Sequence, residues 1–328
     1  MREAAAPGAR VLWRCRGREF DLTERTLVMG IVNVTPDSFS DGGQFFAPAA
    51  AIAHARRLIA EGAEIVDIGA ESTRPGAEPV PAEEQTRRLM PVLEALAADG
   101  ACVSVDTASA AVARHTLAAG AAIVNDVTAL GDPAMARVVA DAGAGLVLMH
   151  MRGTPRTMQD DPRYDDAARE VTEWLGARLE TARGSRVAAE CVALDPGIGF
   201  GKTRLHNFEL LARLAELAGL GRPVVVGVSR KSFLGKGAGK AAGSAAGAGA
   251  AVETNPGARA SAAPRRAPLP DLPPDQRLEG GLAAAAVAVF LGARIVRTHD
   301  VAATVRAVRI AEQLRAARRP GVETHDSV

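Results

Sequence analysis

Short strand-like apolar runs recur eight times along this chain, and an Ala-, Leu-, Arg- and Glu-rich segment with helical spacing follows each of them. The runs cover 27–32, 64–68, 101–105, 121–124, 146–149, 192–194, 224–228 and 294–297. The helical segments cover 49–61, 83–98, 108–119, 133–142, 164–183, 207–217, 281–292 and 301–317. Strict alternation of this kind predicts parallel strands joined by crossover helices. Eight units close into one α/β barrel, the (β/α)8 or TIM barrel, more readily than they spread into an open doubly wound sheet. Ahead of the first unit, residues 11–22 alternate around Arg16-Gly17, which predicts an N-terminal β-hairpin plugging the bottom of the barrel.

One segment breaks the rhythm. Residues 237–270 are Ala, Gly, Ser and Pro with scattered charges, and only Val252 and Leu269 are larger apolar side chains. Such a stretch buries too little surface to order itself, so a disordered, flexible insertion is expected after strand 7 of the barrel. As a mere spacer, it would tolerate deletion of 238–267 with turnover nearly unchanged. The domain plan is therefore a tail and hairpin over 1–26, a barrel over 27–318 interrupted by 237–270, and a C-terminal tail over 319–328.

Charge and cysteine usage narrow the function class. The 39 basic and 38 acidic residues are interspersed, for a net charge of +1, which excludes the footprint of a nucleic-acid or membrane-surface binder and favours small-molecule substrates. Cys15, Cys102 and Cys191 are odd in number and far apart, so neither a disulfide framework nor a structural zinc site is indicated, and a reducing cytoplasm suits them. The longest apolar window, 281–293, is too short to span a bilayer, and the N-terminus lacks the apolar core of a signal peptide. A soluble cytoplasmic protein is expected.

In a barrel of this kind the active site gathers at the C-terminal ends of the strands. The polar residues there are Asn33, Glu71-Ser72-Thr73-Arg74-Pro75-Gly76, Asp106-Thr107, Asn125-Asp126, Asp195-Pro196-Gly197, Ser229-Arg230-Lys231 and Arg297-Thr298-His299-Asp300. They sort into two chemical sets. Asp106, Asn125, Asp195 and Lys231 supply carboxylate acceptors, an amide and an ammonium. Together these match the edge of a flat amino-oxo ring such as a pterin, and buried carboxylates would reject rings that lack the N–H donors. Asn33, Arg74, Arg297 and His299 are neutral or cationic and suit the oxygens of a pyrophosphate, with Asn33 able to hold a bridging Mg²⁺. One substrate then carries both a ring and a pyrophosphate.

A single Asp or Asn after a strand is ordinarily a turn or cap residue, and only the agreement of seven such sites on one substrate outweighs that reading. His150 reads as a structural histidine, and His54, His115, His206 and His325 have no visible role. Residues 197–203 superficially suggest a phosphate-binding loop, but Pro196 stands where its first glycine is required and no helix is expected directly behind it. Lys202 has no assigned contact, and Met149, Met151 and Met158 read as packing.

The run Met29-Gly30-Ile31-Val32-Asn33-Val34-Thr35-Pro36-Asp37-Ser38-Phe39-Ser40-Asp41-Gly42-Gly43 resembles the dihydropteroate synthase family. So do Glu71-Ser72-Thr73-Arg74-Pro75-Gly76, Asp195-Pro196-Gly197-Ile198-Gly199-Phe200-Gly201-Lys202 and Ser229-Arg230-Lys231. The likeness spans 27–236 and 275–305. It implies a transferase that condenses 6-hydroxymethyl-7,8-dihydropterin pyrophosphate with 4-aminobenzoate in folate synthesis, with Mg²⁺ as cofactor, sulfonamides as competitors and a homodimer as the assembly. Carried over residue by residue, it places Asp106, Asn125, Asp195 and Lys231 on the pterin, and Asn33, Arg74, Arg297 and His299 on pyrophosphate, with the metal at Asn33. It places Thr73, Arg74, Pro75, Phe200, Ser229 and Lys231 around the aminobenzoate, and gives Asp106, Asp195, Lys231 and Arg297 to the chemistry. Loops 33–46 and 69–79 would close over the substrates.

The chain departs from the family at Ala70, where glycine is usual, at Ile198, where an aromatic is common, and in the insertion. Two alternatives share the pterin set: a pterin-dependent methyltransferase and a non-catalytic pterin-binding paralogue. The intact 73–76 and 229–231 stretches speak against the first, and retention of Asp106, Lys231, Arg297 and His299 speaks against the second.

Overall fold

The computed structural model describes residues 10–34, 48–72, 76–235 and 271–318. The tails, the expected insertion, most of the loop 33–46, and Thr73, Arg74 and Pro75 lie outside the described residues.

The chain enters through an antiparallel hairpin of β1 (Leu12–Cys15) and β2 (Arg18–Asp21), paired from Leu12 with Asp21 to Cys15 with Arg18. Both turn residues, Arg16 and Gly17, take positive φ, as a two-residue hairpin turn that matches strand twist requires. Eight parallel strands follow: β3 (Leu27–Asn33), β4 (Ile65–Gly69), β5 (Val103–Asp106), β6 (Ile123–Asp126), β7 (Gly145–Met149), β8 (Val192–Asp195), β9 (Val225–Gly227) and β10 (Ile295–Thr298). Helices alternate with them: α1 (Pro48–Ala60), α2 (Ala82–Ala98), α3 (Ala110–Ala118), α4 (Met135–Ala142), α5 (Ala167–Gly184), α6 (Arg204–Ala212), α7 (Leu214–Ala218), the single turn α8 (Ser232–Gly235), α9 (Leu278–Phe290) and α10 (Val301–Ala317). Each strand pairs with its neighbour in sequence, β10 pairs with β3, and an isolated parallel bridge between Leu194 and Val224 joins β8 to the β9 side. The sheet is thus a closed ring, as the eightfold alternation predicts.

Two apolar layers fix the ring. Outward-facing Val28, Val66, Val103, Val105, Leu146, Val192 and Val226 meet the helices, as the helix-covered face of a parallel sheet requires. Inside, the lower lumen is filled by Leu27, Met29, Ile65, Ile123, Val147, Ala193, Val225 and Ile295, and the hairpin seals it with Trp13 and Cys15. Trp13 is fully buried and its indole N–H donates to the Cys191 carbonyl at 2.9 Å. Gly145 is obligatory beneath this plug, because a Cβ there would lie 2.5 Å from the Cys15 sulfur. Above this layer the lumen turns polar.

Three expectations need correction. Several strands reach one or two residues farther than their apolar runs, so Asn33, Asp106, Asn125 and Asp195 lie on the ladder itself and not in the loops behind it, while Arg297 sits on β10 as its run predicts. Their polar side chains point into the mouth of the lumen while the backbone keeps pairing. A helix also does begin directly behind 197–203: Thr203 caps α6 through a capping box in which His206 replaces the usual Glu or Gln. The segment expected as one helix over 207–217 breaks at Arg213, whose guanidinium reaches Asp166, Glu209 and Glu216.

Among the described residues no helix is long and apolar enough to cross a membrane.

Candidate active site

Strand register alone brings the predicted groups together. Asn33 pairs with Gly69, Gly69 with Asp106, and Asp106 with Asn125, so one row crosses four neighbouring strands at the mouth of the barrel. Directly below, Asp67 on β4 is fully buried between Val66 and Ile68, and its side chain points inward with that of Ile65. Arg297 crosses the lumen from β10. Its Nε donates to Asp67 Oδ2 at 2.6 Å and its Nη2 to Asp106 Oδ2 at 2.9 Å. The Asn125 amide donates to the same Asp67 Oδ2 at 3.1 Å.

Burial pushes the Asp106 carboxyl up to about 7, against the pull of the Arg297 guanidinium. It raises Asp195 too, opposed by Lys231, and lowers the Lys231 ammonium to about 8, opposed by Asp195. Burial works to lower Arg297 as well, but Asp67 and Asp106 outweigh it and hold the guanidinium above its ordinary value.

The loop after β8 places the second group. Asp195 Oδ1 accepts from the Gly197 N–H at 2.7 Å, folding the chain back over its own strand. Gly197 has φ +66°, and a Cβ on it would fall 1.9 Å from the His150 carbonyl, so no other residue fits. The turn presents the Ile198 carbonyl to the Lys231 ammonium, which also lies 4.5 Å from the centre of the Phe200 ring. Arg230, three residues past the end of β9, adopts a left-handed conformation, φ +58°, and Lys231 follows it at the mouth. Lys202, beneath the same loop, is buried, and its amine meets His150 Nδ1 at 2.9 Å and the Phe200 carbonyl at 2.9 Å.

At the rim, Ser229 Oγ stands 3.1 Å from His299 Nδ1 and accepts from the His299 backbone N–H at 3.2 Å. Arg230 pairs with Asp300 at 2.5 Å, which lowers the Asp300 carboxyl. Two other end-of-strand candidates are structural. Asp126 accepts from Thr128 and Leu130 and fixes its own turn, and Glu71 accepts from the Val80 N–H and the Gln85 amide.

The structure therefore gathers Asp106, Asn125, Asp195, Lys231 and Arg297 in the lumen, with Asn33, Phe200, Ser229 and His299 around it. It adds two residues that the sequence reading passed over, Asp67 and Lys202. The signal for Asp67 was present: a lone carboxylate inside an otherwise apolar buried strand.

A closed parallel barrel whose mouth gathers carboxylates, an amide and two cations at one end of its lumen defines an enzyme that binds a polar heterocycle. The pattern of the pterin-binding enzymes matches residues 29–299, and the chain belongs to that family. Its relatives there include dihydropteroate synthases. The Escherichia coli enzyme of that name is 41% identical over 298 residues, 90% of this chain and 94% of the relative. Dihydropteroate synthase from Yersinia pestis, solved with a sulfonamide drug complex, superposes with a TM-score of 0.78 at 39% identity, covering 93% of this chain and 100% of its own. The Burkholderia cenocepacia enzyme, solved with 7,8-dihydropteroate, gives a TM-score of 0.75 at 39% identity, covering 94% and 97%.

Proposed function

We infer that this chain condenses 6-hydroxymethyl-7,8-dihydropterin pyrophosphate with 4-aminobenzoate, giving 7,8-dihydropteroate and pyrophosphate. The observation that carries the reading is the single lumen in which Asp106, Asn125, Asp195 and Lys231 gather around Arg297, within a chain so similar to known dihydropteroate synthases. The carboxylates accept from the ring's N–H and amino groups, the amide complements a neighbouring edge, and Lys231 donates to a ring acceptor.

The reaction needs no protein nucleophile. The methylene carbon–oxygen bond breaks toward pyrophosphate, the aminobenzoate nitrogen forms the new carbon–nitrogen bond, and that nitrogen loses one proton. We favour departure before attack: Asp106 and Asp195 lie beside the ring that would carry the positive charge, and Arg297 and His299 hold the departing anion. Phe200, Ser229 and Lys231 border the aminobenzoate, with Ser229 meeting its carboxylate and Phe200 walling its ring. Thr73, Arg74 and Pro75 complete that assignment from loop residues outside the described set. A sulfonamide, which mimics aminobenzoate, would compete at this position.

Among the described residues no cluster of three or more His, Cys, Asp or Glu side chains is suited to a metal ion. That donor set fits Mg²⁺ only as a partner of the substrate, with the Asn33 side-chain oxygen as a hard ligand beside pyrophosphate oxygens and water. When bound there, the ion would neutralise the charge of the leaving group.

We also place the enzyme in the cytoplasm as a homodimer. The three cysteines are free and buried, as a reducing compartment permits. Val287 on α9 and Ile310 and Leu314 on α10 are each more than half exposed on two helices that pack together, and they offer an apolar face to a second copy. Sedimentation equilibrium of the wild type and of Leu314→Arg tests the dimer, which the charge should split.

The decisive experiment measures pyrophosphate release from dihydropterin pyrophosphate and Mg²⁺, with and without 4-aminobenzoate. Release that requires both substrates supports the synthase. Pterin binding without turnover would replace it with a non-catalytic paralogue, and methyl transfer from a methylated pterin would replace it with a methyltransferase.

A further inference from the structure

Asp67 and Asp126 are both fully buried aspartates of the barrel, on β4 and β6, and they spend their oxygens differently. Asp126 accepts from the backbone of Thr128 and Leu130, the bonding expected of a carboxylate that holds a turn. Among the described residues Asp67 accepts from no backbone group. Its only hydrogen bonds among the described residues are from Arg297 Nε at 2.6 Å and Asn125 Nδ2 at 3.1 Å, and both end on one oxygen, Oδ2. A charge placed in the centre of a strand and committed wholly to two side chains serves those side chains.

We propose that Asp67 is the positioning residue of both substrate subsites, with Arg297 and Asn125 registered on its single oxygen so that the ring and the pyrophosphate are read in a fixed relation. The proposal rests on the function inferred above. An ionised carboxylate only accepts, so Asn125 must turn its amide nitrogen toward Asp67. That fixes which way its carbonyl faces the ring. Arg297 is held along its Nε and Nη2 edge by Asp67 and Asp106, which leaves Nη1 as the nitrogen without a protein partner among the described residues. Nη1 is then the donor left for a phosphate oxygen. Asp106 cannot fix the guanidinium alone, because its carboxylate is also assigned to the ring.

The test is a double-mutant cycle read by ligand affinity. Calorimetry measures inorganic pyrophosphate with Mg²⁺, and separately 6-hydroxymethylpterin without its pyrophosphate, binding to the wild type and to Asp67→Asn, Arg297→Met and the double variant. An asparagine keeps the shape of Asp67 but turns one acceptor into a donor. Asp67→Asn is expected to weaken both ligands about tenfold or more, since each loses a partner held by a charged hydrogen bond. In the Arg297→Met background the same change is expected to cost pyrophosphate affinity almost nothing further, while still weakening the pterin through Asn125. Should Asp67→Asn alone not fold, the double variant removes the uncompensated guanidinium and carries the comparison with Arg297→Met by itself. Undiminished affinities in Asp67→Asn, or a pyrophosphate loss that persists without Arg297, would overturn the assignment. A wild type that binds neither ligand would remove the function itself, and that outcome is distinct because it appears before any substitution.

Discussion

The Lys202 amine stands 2.9 Å from His150 Nδ1 and donates to the Phe200 carbonyl at 2.9 Å, both groups buried beneath the loop after β8. Burial, reinforced by the facing Lys202 charge, drives His150 down to about 2, and burial likewise takes Lys202 far below the ordinary lysine range. The pair supports the Phe200 loop from below. Lys202→Ala should therefore destabilise the fold by about 2 kcal/mol, because it orphans the Phe200 carbonyl. Lys231→Ala should instead lower kcat/KM by about a hundredfold or more with a smaller change in stability. Urea unfolding and steady-state kinetics on both variants check the contrast, and matching profiles would contradict it.

Pterin capture should depend on pH in both directions. Asp106 accepts well only when ionised, and its group is pushed up to about 7, so kcat/KM for the pterin substrate rises as pH passes through that value. Lys231, brought down to about 8, loses its charge above it, and the same parameter falls. The raised Asp106 value also has a sign for stability. Protonation favours the folded state, so that contribution is complete in acid and is lost as pH rises through about 7. Pyrophosphate release measured from about pH 5.5 to about pH 9.5 reads the first effect. A flat profile would exclude both groups from binding.

Gly197→Ala should be among the most damaging single-methyl additions in the chain. The new Cβ meets the His150 carbonyl at 1.9 Å in a left-handed backbone, and relief requires moving the loop that carries Asp195's partner N–H and Phe200. We expect a loss of about 2 kcal/mol or more, and at least a tenfold rise in KM for 4-aminobenzoate in whatever protein folds. Thermal unfolding and a KM determination settle it.

Trp13→Ala addresses the opposite end of the barrel. Removing a fully buried indole should cost about 3–5 kcal/mol, with KM for both substrates unchanged in the folded fraction. A KM shift would mean that the plug communicates with the mouth.

The alternation of apolar runs and helical segments was enough to read the barrel, because each βα unit repeats the same burial problem. The hairpin was legible for the same reason, from Trp13 and Cys15 facing one way around Arg16-Gly17. Asp106, Asn125, Asp195, Lys231, Arg297 and His299 were legible as a set, since polar residues at strand ends have a fixed destination in a barrel. Asp67 was not, because reading from strand ends ignores strand centres, and a lumen changes from apolar to polar partway along a strand. Lys202 escaped because a lysine in a glycine-rich loop ordinarily points to water. The start of α6 was missed because His206, at the third helical position, is an unusual capping-box partner.

Seven of the eight strand junctions in the ring are ladders, and the eighth is the lone bridge between Leu194 and Val224. A hoop fastened this way yields first at its clasp, and the clasp stands between the strand that ends in Asp195 and the one that leads to Ser229 and Lys231. Thermal breathing should concentrate at that seam, so amide exchange at Leu194 should outpace exchange at the equivalent depth on β4 and β5. The pterin set is then split by compliance, with Asp106 and Asn125 on laddered strands and Asp195 and Lys231 on the two sides of the seam.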